Sequence, residues 1–172
     1  MAKEYRKKGF VVATQDEATF GLIPTVARGW ARKGSRPVTT MNYQHKWTNV
    51  FGARTKRSFV FLFRKRKKAR CFVELMQLLH KRWSKVCLFV DSAPCHKGKL
   101  VERFLSSHKK TFILIRFPKY SPELNPIEQC WKPARKILAN RFIPSLSAAK
   151  YHLQKVFTNH SLLPKMFGYL SD

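Results

Sequence analysis

Nine carboxylates serve a chain of 172 residues, and three of them stand where a fold can hold an acid still. Asp16 follows the apolar run Gly9 to Thr14 (GFVVAT), and Asp91 follows Lys85 to Val90 (KVCLFV). An acid at the C-terminal end of a buried strand sits where sheet proteins commonly place their chemistry. Glu128 comes after Asn125, a good helix N-cap, and Pro126, which suits the first helical position, so it falls at the third. The other acids are less well placed. Glu4 and Asp172 lie in tails, Glu74 and Glu102 within helices, and Glu17 and Glu123 beside the better candidates, with Glu17 expected on the opposite strand face from Asp16. If the first and fourth strands adjoin, their C-terminal acids converge, and the helix after the fifth strand sets Glu128 beside them. Three carboxylates in a cationic chain suit two hard divalent ions, which take oxygen ligands and keep several waters. Two such ions roughly 3.5 to 4 Å apart activate the attacking oxygen and stabilise the leaving oxygen of an in-line phosphodiester displacement. Each acid also has a plainer reading: Asp16 and Asp91 as polar strand ends, Glu128 as the return half of a capping box on Asn125. His96, in the turn after Asp91, reads either as a packed or surface histidine or as a group supporting the acid.

Charge narrows the choice of partner. Thirty-five Lys and Arg give a net charge of +26, which cannot be balanced internally and calls for a polyanion, most naturally nucleic acid. Between Thr19 and Thr40, glycines and prolines punctuate Arg28, Trp30, Arg32, Lys33 and Arg36. Such a loop follows a phosphate backbone with an aromatic free to stack, or is a solvated hairpin. The run Arg64, Lys65, Arg66, Lys67, Lys68, Ala69, Arg70 suits phosphate contact, nuclear entry or a solvated face, and phosphate contact fits the whole chain best. Lys119, Lys132 and Arg135 complete the expected DNA-contacting set around the third acid. No stretch approaches the roughly 18 apolar residues of a membrane span, and the N-terminus has charge without an apolar signal core. The expected setting is cytoplasmic, at the nucleoid. Cys71, Cys87, Cys95 and Cys130 show neither CxxC pairing nor zinc spacing, as expected of reduced, buried, intracellular thiols.

The elements that must position these residues follow from apolar periodicity. After a charged leader, Gly9 to Thr14 reads as a central strand, and Lys46 to Ala53 and Ser58 to Phe63 extend it as an antiparallel meander. Phe72, Leu75, Met76, Leu79 and Trp83 form one helical stripe. Strand Lys85 to Val90, a helix from Lys99 to His108 and strand Thr111 to Phe117, read as interior to the sheet, come next. The helix launched at Asn125 buries Ile127, Trp131, Ala134, Leu138 and Phe142, and a helix from Ser147 to His160 closes a single α/β domain spanning residues 1–172. The expected sheet is mixed, three antiparallel strands followed by parallel ones, with helices on its flanks.

Three segments carry a resemblance. QDEATFGLIPTVARGWARKGSRP, LFVDSAPCHKG and FPKYSPELNPIEQCW are similar to the three catalytic blocks of the DDE transposases of the mariner superfamily, particularly its bacterial and archaeal insertion-sequence branch. They occur in order and span Gly9 to about Phe142; the third is the most specific. The resemblance implies an RNase H-like fold, Asp16, Asp91 and Glu128 as a metal-binding triad, and two Mg²⁺ or Mn²⁺ ions. It also implies DNA cleavage at element ends and strand transfer into target DNA, with water and then a DNA 3′-hydroxyl attacking phosphorus. A homodimer follows by analogy alone. Ser92 stands where the family usually has Asn, so the outer hydrogen bonding beside Asp91 changes; Lys119 replaces a common Pro. The family's N-terminal helix-turn-helix recognition region is expected to be missing, supplied by a separate chain or lost. The rival expectation is a basic DNA-binding remnant that keeps the fold without the reaction, and only the triad separates the two.

Overall fold

The computed structural model describes every residue except 24, 119, 120, 167–169, 171 and 172. Its centre is strand β1 (Val11–Gly21), flanked by β2 (Trp47–Arg54) and then β3 (Phe59–Arg64) on one side, and by β4 (Val86–Val90) and then β5 (Phe112–Arg116) on the other. The pairs β1–β2 and β2–β3 are antiparallel, whereas β1–β4 and β4–β5 are parallel. Antiparallel neighbours need only short connections, but parallel ones need crossovers. Helix α2 (Ala69–Trp83) supplies the crossover to β4 and α3 (Lys99–Ser107) the crossover to β5.

Period-two alternation splits the core by face. Val12, Ala18 and Phe20 of β1, with Cys87 and Phe89 of β4, pack beneath α4 (Glu128–Leu138) and α5 (Leu146–Thr158). Ala13, with Val86, Leu88 and Val90, packs beneath α2 and α3. Phe72, Leu75, Met76 and Leu79 are fully buried, as their spacing predicts, and Trp83 packs at the margin. Among the described residues no helix is long and apolar enough to cross a membrane.

Four expectations change. The leader forms a short helix, α1 (Ala2–Lys7), whose Tyr5 ring meets Phe10 edge-on at 5.5 Å. β1 does not stop at Thr14: its ladder with β4 ends at the Thr14–Phe89 pair, but β2 pairs with it from Thr14 to Gly21. Asp16 and Glu17 therefore lie inside a strand, just past its parallel portion. β5 is an edge strand, which leaves Ile113, Leu114 and Ile115 only partly buried and Arg116 exposed. Phe142 is exposed because α4 ends at Leu138, Ala139 turns extended and Asn140 takes a φ of 52°.

Candidate active site

The register of the parallel ladder brings two acids side by side. Thr14 pairs with Phe89; Asp16 stands two residues further along β1, and Asp91 two residues past Phe89, just beyond the end of β4. Both inherit the parity of residues that face α4 and α5. Asp16 is held from two directions: the Glu17 amide donates to Oδ1 and the Trp131 indole Nε1 to Oδ2, each at 2.8 Å. Burial pushes its pKa up to about 6; the charges of Glu17 and Asp91 act the same way, against the two N–H donors. No described Lys or Arg forms an ion pair with it.

Helix α4 crosses this face, with Cys130, Trp131, Ala134 and Leu138 buried. Glu128 opens the helix three residues before Trp131 and is its neighbour on the helix surface, on the exposed flank of the buried stripe. Its side chain is exposed and makes no hydrogen bond or ion pair with another described residue. The capping box does not form: Ile127 holds the cap position with no side-chain bond. Asn125 is buried, and its Oδ1 accepts from the Thr14 hydroxyl at 2.6 Å, while its carbonyl receives the Glu128 amide at 3.2 Å. Local sequence nominates Asn125 as a cap, but a partner on β1 claims its side chain.

His96 ties Asp91 to the opposite sheet face. It sits in a short 3-10 turn, Pro94–His96, fully buried against Phe72 with ring centroids 4.4 Å apart. Nδ1 donates to Asp91 Oδ1 at 2.8 Å and Nε2 to Glu17 Oε1 at 2.9 Å. With a carboxylate oxygen at each nitrogen, the ring is an imidazolium. Burial works to lower the His96 pKa, and hydrogen bonds to Asp91, Cys95 and Glu17 overcome it and raise it well above the ordinary value. The same bond, helped by the Ala93 amide at 2.9 Å and by Lys67, holds Asp91 below the usual carboxylate range. Glu17, Cys95 and His96 bring potential ligand atoms within 4.8 Å of one another, but both ring nitrogens carry protons directed at carboxylates and offer a cation no lone pair. The Ser92 hydroxyl makes no hydrogen bond to a described residue. In the sequence Glu17 stands out only as a neighbour of Asp16. Its parity opposite Asp16 was legible, but not that the turn at 94–96 arrives on that side.

Exposed cations are concentrated in three segments. Arg28, Trp30, Arg32, Lys33 and Arg36 lie in an exposed segment between β1 and β2, with the Trp30 indole fully in solvent. Asn140 anchors this arm: Oδ1 accepts from the Ala27 amide at 3.0 Å and Nδ2 donates to the Ala27 carbonyl at 2.8 Å. Of the basic run, Arg64 closes β3 and pairs with Glu74 at 2.6 Å, and Arg70 reaches the same carboxylate at 3.4 Å. Lys65, Arg66 and Lys67 line a cavity of about 660 Å³ with Trp47 and Asn49, and Lys67 Nζ also donates to the Glu17 carbonyl at 3.3 Å. Lys68 precedes the first turn of α2, Lys132 and Arg135 are exposed on α4, and Lys119 falls outside the described residues.

Residues 11–150 match the family described as DDE superfamily endonuclease. A search of curated proteins found no match. Among solved structures, the chain resembles the Mos1 transposase paired-end complex with the left transposon end, with a TM-score of 0.67 at 18% identity, covering 94% of this chain and 52% of that one. The Mos1 mariner paired-end complex with Mn gives 0.67 at 19% identity, covering 91% and 51%. The catalytic domain of Mos1 mariner transposase gives 0.64 at 17% identity, covering 94% and 78%. The chain thus spans about half the length of the Mos1 chains in the paired-end complexes, and it shares the RNase H-like fold of the catalytic domain.

Proposed function

Because this chain belongs to the DDE superfamily endonuclease family, we propose that it is the catalytic domain of a transposase of the mariner superfamily, on its insertion-sequence branch. In this reading it cleaves DNA at element ends and transfers strands into a target. Asp16, Asp91 and Glu128 are the candidate ligands of two Mg²⁺ or Mn²⁺ ions. The observation that carries the reading is the placement of Asp16 beside Asp91 by strand register, with no described cation paired to Asp16 in a chain of net charge +26. Two adjacent carboxylates repel and call for a compensating cation, and hard oxygen donors suit a divalent one. Two divalent ions held there would supply Lewis-acid activation of the attacking oxygen and charge relief at the leaving oxygen.

The chain's own residues do the rest. His96 fixes one oxygen of Asp91 and leaves the half-exposed carboxylate facing outward. Lys67 lies at the border between the acids and the basic cavity, where a phosphodiester approaching the site first meets positive charge. Lys65, Arg66, the arm residues Arg28 to Arg36, and Lys132 and Arg135 hold backbone phosphates, and Trp30 stacks on a base. No protein side chain forms a covalent intermediate; water, and then a DNA 3′-hydroxyl, attacks phosphorus. Recognition of the ends comes from a separate region or chain, two copies act on two ends, and the protein works at the nucleoid.

Nicking of supercoiled plasmid in Mn²⁺ tests this, with Asp91→Asn and a chelator as controls. Activity that disappears in both controls is expected. Nicking that survives Asp91→Asn, or a folded, DNA-bound wild type that never nicks even with a recognition region fused, overturns the reading.

A further inference from the structure

We propose that Trp131 is a positioning residue for Asp16, and that Gly52 lacks a side chain so that the indole can reach it; this rests on Asp16 being a metal ligand. Three aromatic rings set the attitude of the indole. Phe20, Phe59 and Phe157 meet it edge-on with centroids 6.2, 5.9 and 5.9 Å away, and the residue is 2% exposed. A ring clamped in this way has one direction for its N–H, and that direction ends on Asp16 Oδ2 at 2.8 Å.

The path to Asp16 passes over β2. Gly52 is the cross-strand partner of Asp16, so a side chain there would share the face on which the acid and the indole meet. A Cβ on Gly52 would lie 2.7 Å from Trp131 Cη2 and 2.9 Å from Phe59 Cζ. Glycine inside a strand costs backbone entropy and often marks a close approach; here the group that approaches is the ring that holds the acid.

The chemistry of the donor suits the task. An indole N–H only donates and does not titrate, whereas a carboxylate has about four lone-pair sites. The amide of Glu17 and the indole of Trp131 use one site on each oxygen of Asp16, which fixes the carboxylate plane and leaves a site free on each oxygen. Since Glu128 lies three residues before Trp131, one helix delivers the third acid and the group that orients the first.

Replacing the indole at position 131 by benzothiophene, through site-specific incorporation of benzothienylalanine, removes the N–H and keeps the shape. Mn²⁺ binding to the full chain, read by calorimetry, is expected to weaken ~10-fold or more, as loss of an outer-shell partner does elsewhere. Circular dichroism and duplex binding should match wild type, thermal unfolding at neutral pH should fall because Asp16 Oδ2 loses its donor, and nicking should recover at high Mn²⁺. Gly52→Ala should weaken Mn²⁺ binding in the same direction and shift the indole ¹H resonance. Wild-type Mn²⁺ affinity in the benzothiophene protein, where Asp16→Asn loses it, overturns the positioning role alone. Equal affinity in wild type and Asp16→Asn overturns the metal-ligand reading and the positioning role with it.

Discussion

The Thr14 hydroxyl donates to Asn125 Oδ1 at 2.6 Å, joining the central strand to the turn that precedes α4 across 111 positions of sequence. Both residues are buried, and neither group reaches water. The bond fixes where α4 begins relative to β1, and hence where Glu128 stands relative to Asp16.

Asn125→Ala leaves the Thr14 hydroxyl buried and unpaired, a loss of about 1 to 3 kcal/mol. Removing both partners costs less than the two single losses combined, because no orphan remains. Urea unfolding of Asn125→Ala, Thr14→Val and the double variant checks this. Strict additivity would show that the pair is not coupled.

In the metal-free protein, Asp16→Asn should gain stability relative to wild type as pH rises. The folded pKa of Asp16 is raised from 3.8 to about 6, so its contribution to stability is fully present below about 4 and lost as pH rises through about 6. The neutral side chain avoids that loss. The gain, roughly 1 to 3 kcal/mol from the size of the shift, should grow across that window from a deficit at pH 4, where the Asn Nδ2 leaves one of the two N–H donors unpaired. Thermal unfolding measured against pH in chelator reads it, and a gain independent of pH would refute the assignment.

His96→Ala strips two carboxylates of their shared cation inside the protein. Breaking a buried pair from one side typically costs about 3 to 5 kcal/mol; that cost falls on buried Glu17, while solvent screens the charge left on half-exposed Asp91. Chemical denaturation provides the measure, and a cost below about 1 kcal/mol would show that Glu17 and Asp91 do not depend on the imidazolium.

Neutralising Lys65 and Arg66 to Gln should weaken duplex binding and reduce the salt slope by about 0.9 for each phosphate that the two side chains had neutralised. Arg64 and Arg70, already paired with Glu74, should contribute less. Binding isotherms between roughly 50 and 200 mM salt, the range over which phosphate neutralisation is usually read, give the slopes; an unchanged slope would return Lys65 and Arg66 to the solvated surface.

Apolar periodicity made most of the fold legible. The stripe from Phe72 to Leu79 and the runs ending at Thr14 and Val90 carry enough hydrophobic signal to name their elements, and the adjacency of the first and fourth strands, a condition for their acids to converge, is met. The polar stretch Asp16 to Gly21 concealed the second half of β1, because its strand character comes from pairing with β2 rather than from its own residues. The run TFILIRF concealed the opposite fact: it is apolar enough for a sheet interior yet lies at an edge. At the site, residue type and order nominated Asp16, Asp91 and Glu128. What escaped were partners set by tertiary contact: Asn125 with Thr14, His96 with Glu17, and Trp131 with Asp16.

Asp16 and Glu17 are consecutive, yet one faces α4 and the other His96. Strand parity is therefore part of the coding of this protein. Deleting one codon between Val11 and Gln15 would exchange the two carboxylates between faces, and deleting two would restore the order with a shortened ladder. In the arm between Ala27 and Thr39, anchored to Asn140 near both ends, no such parity applies. A change of length that exchanges no faces in the arm thus reorganises the candidate site when it falls in β1, although no residue of that site is itself replaced.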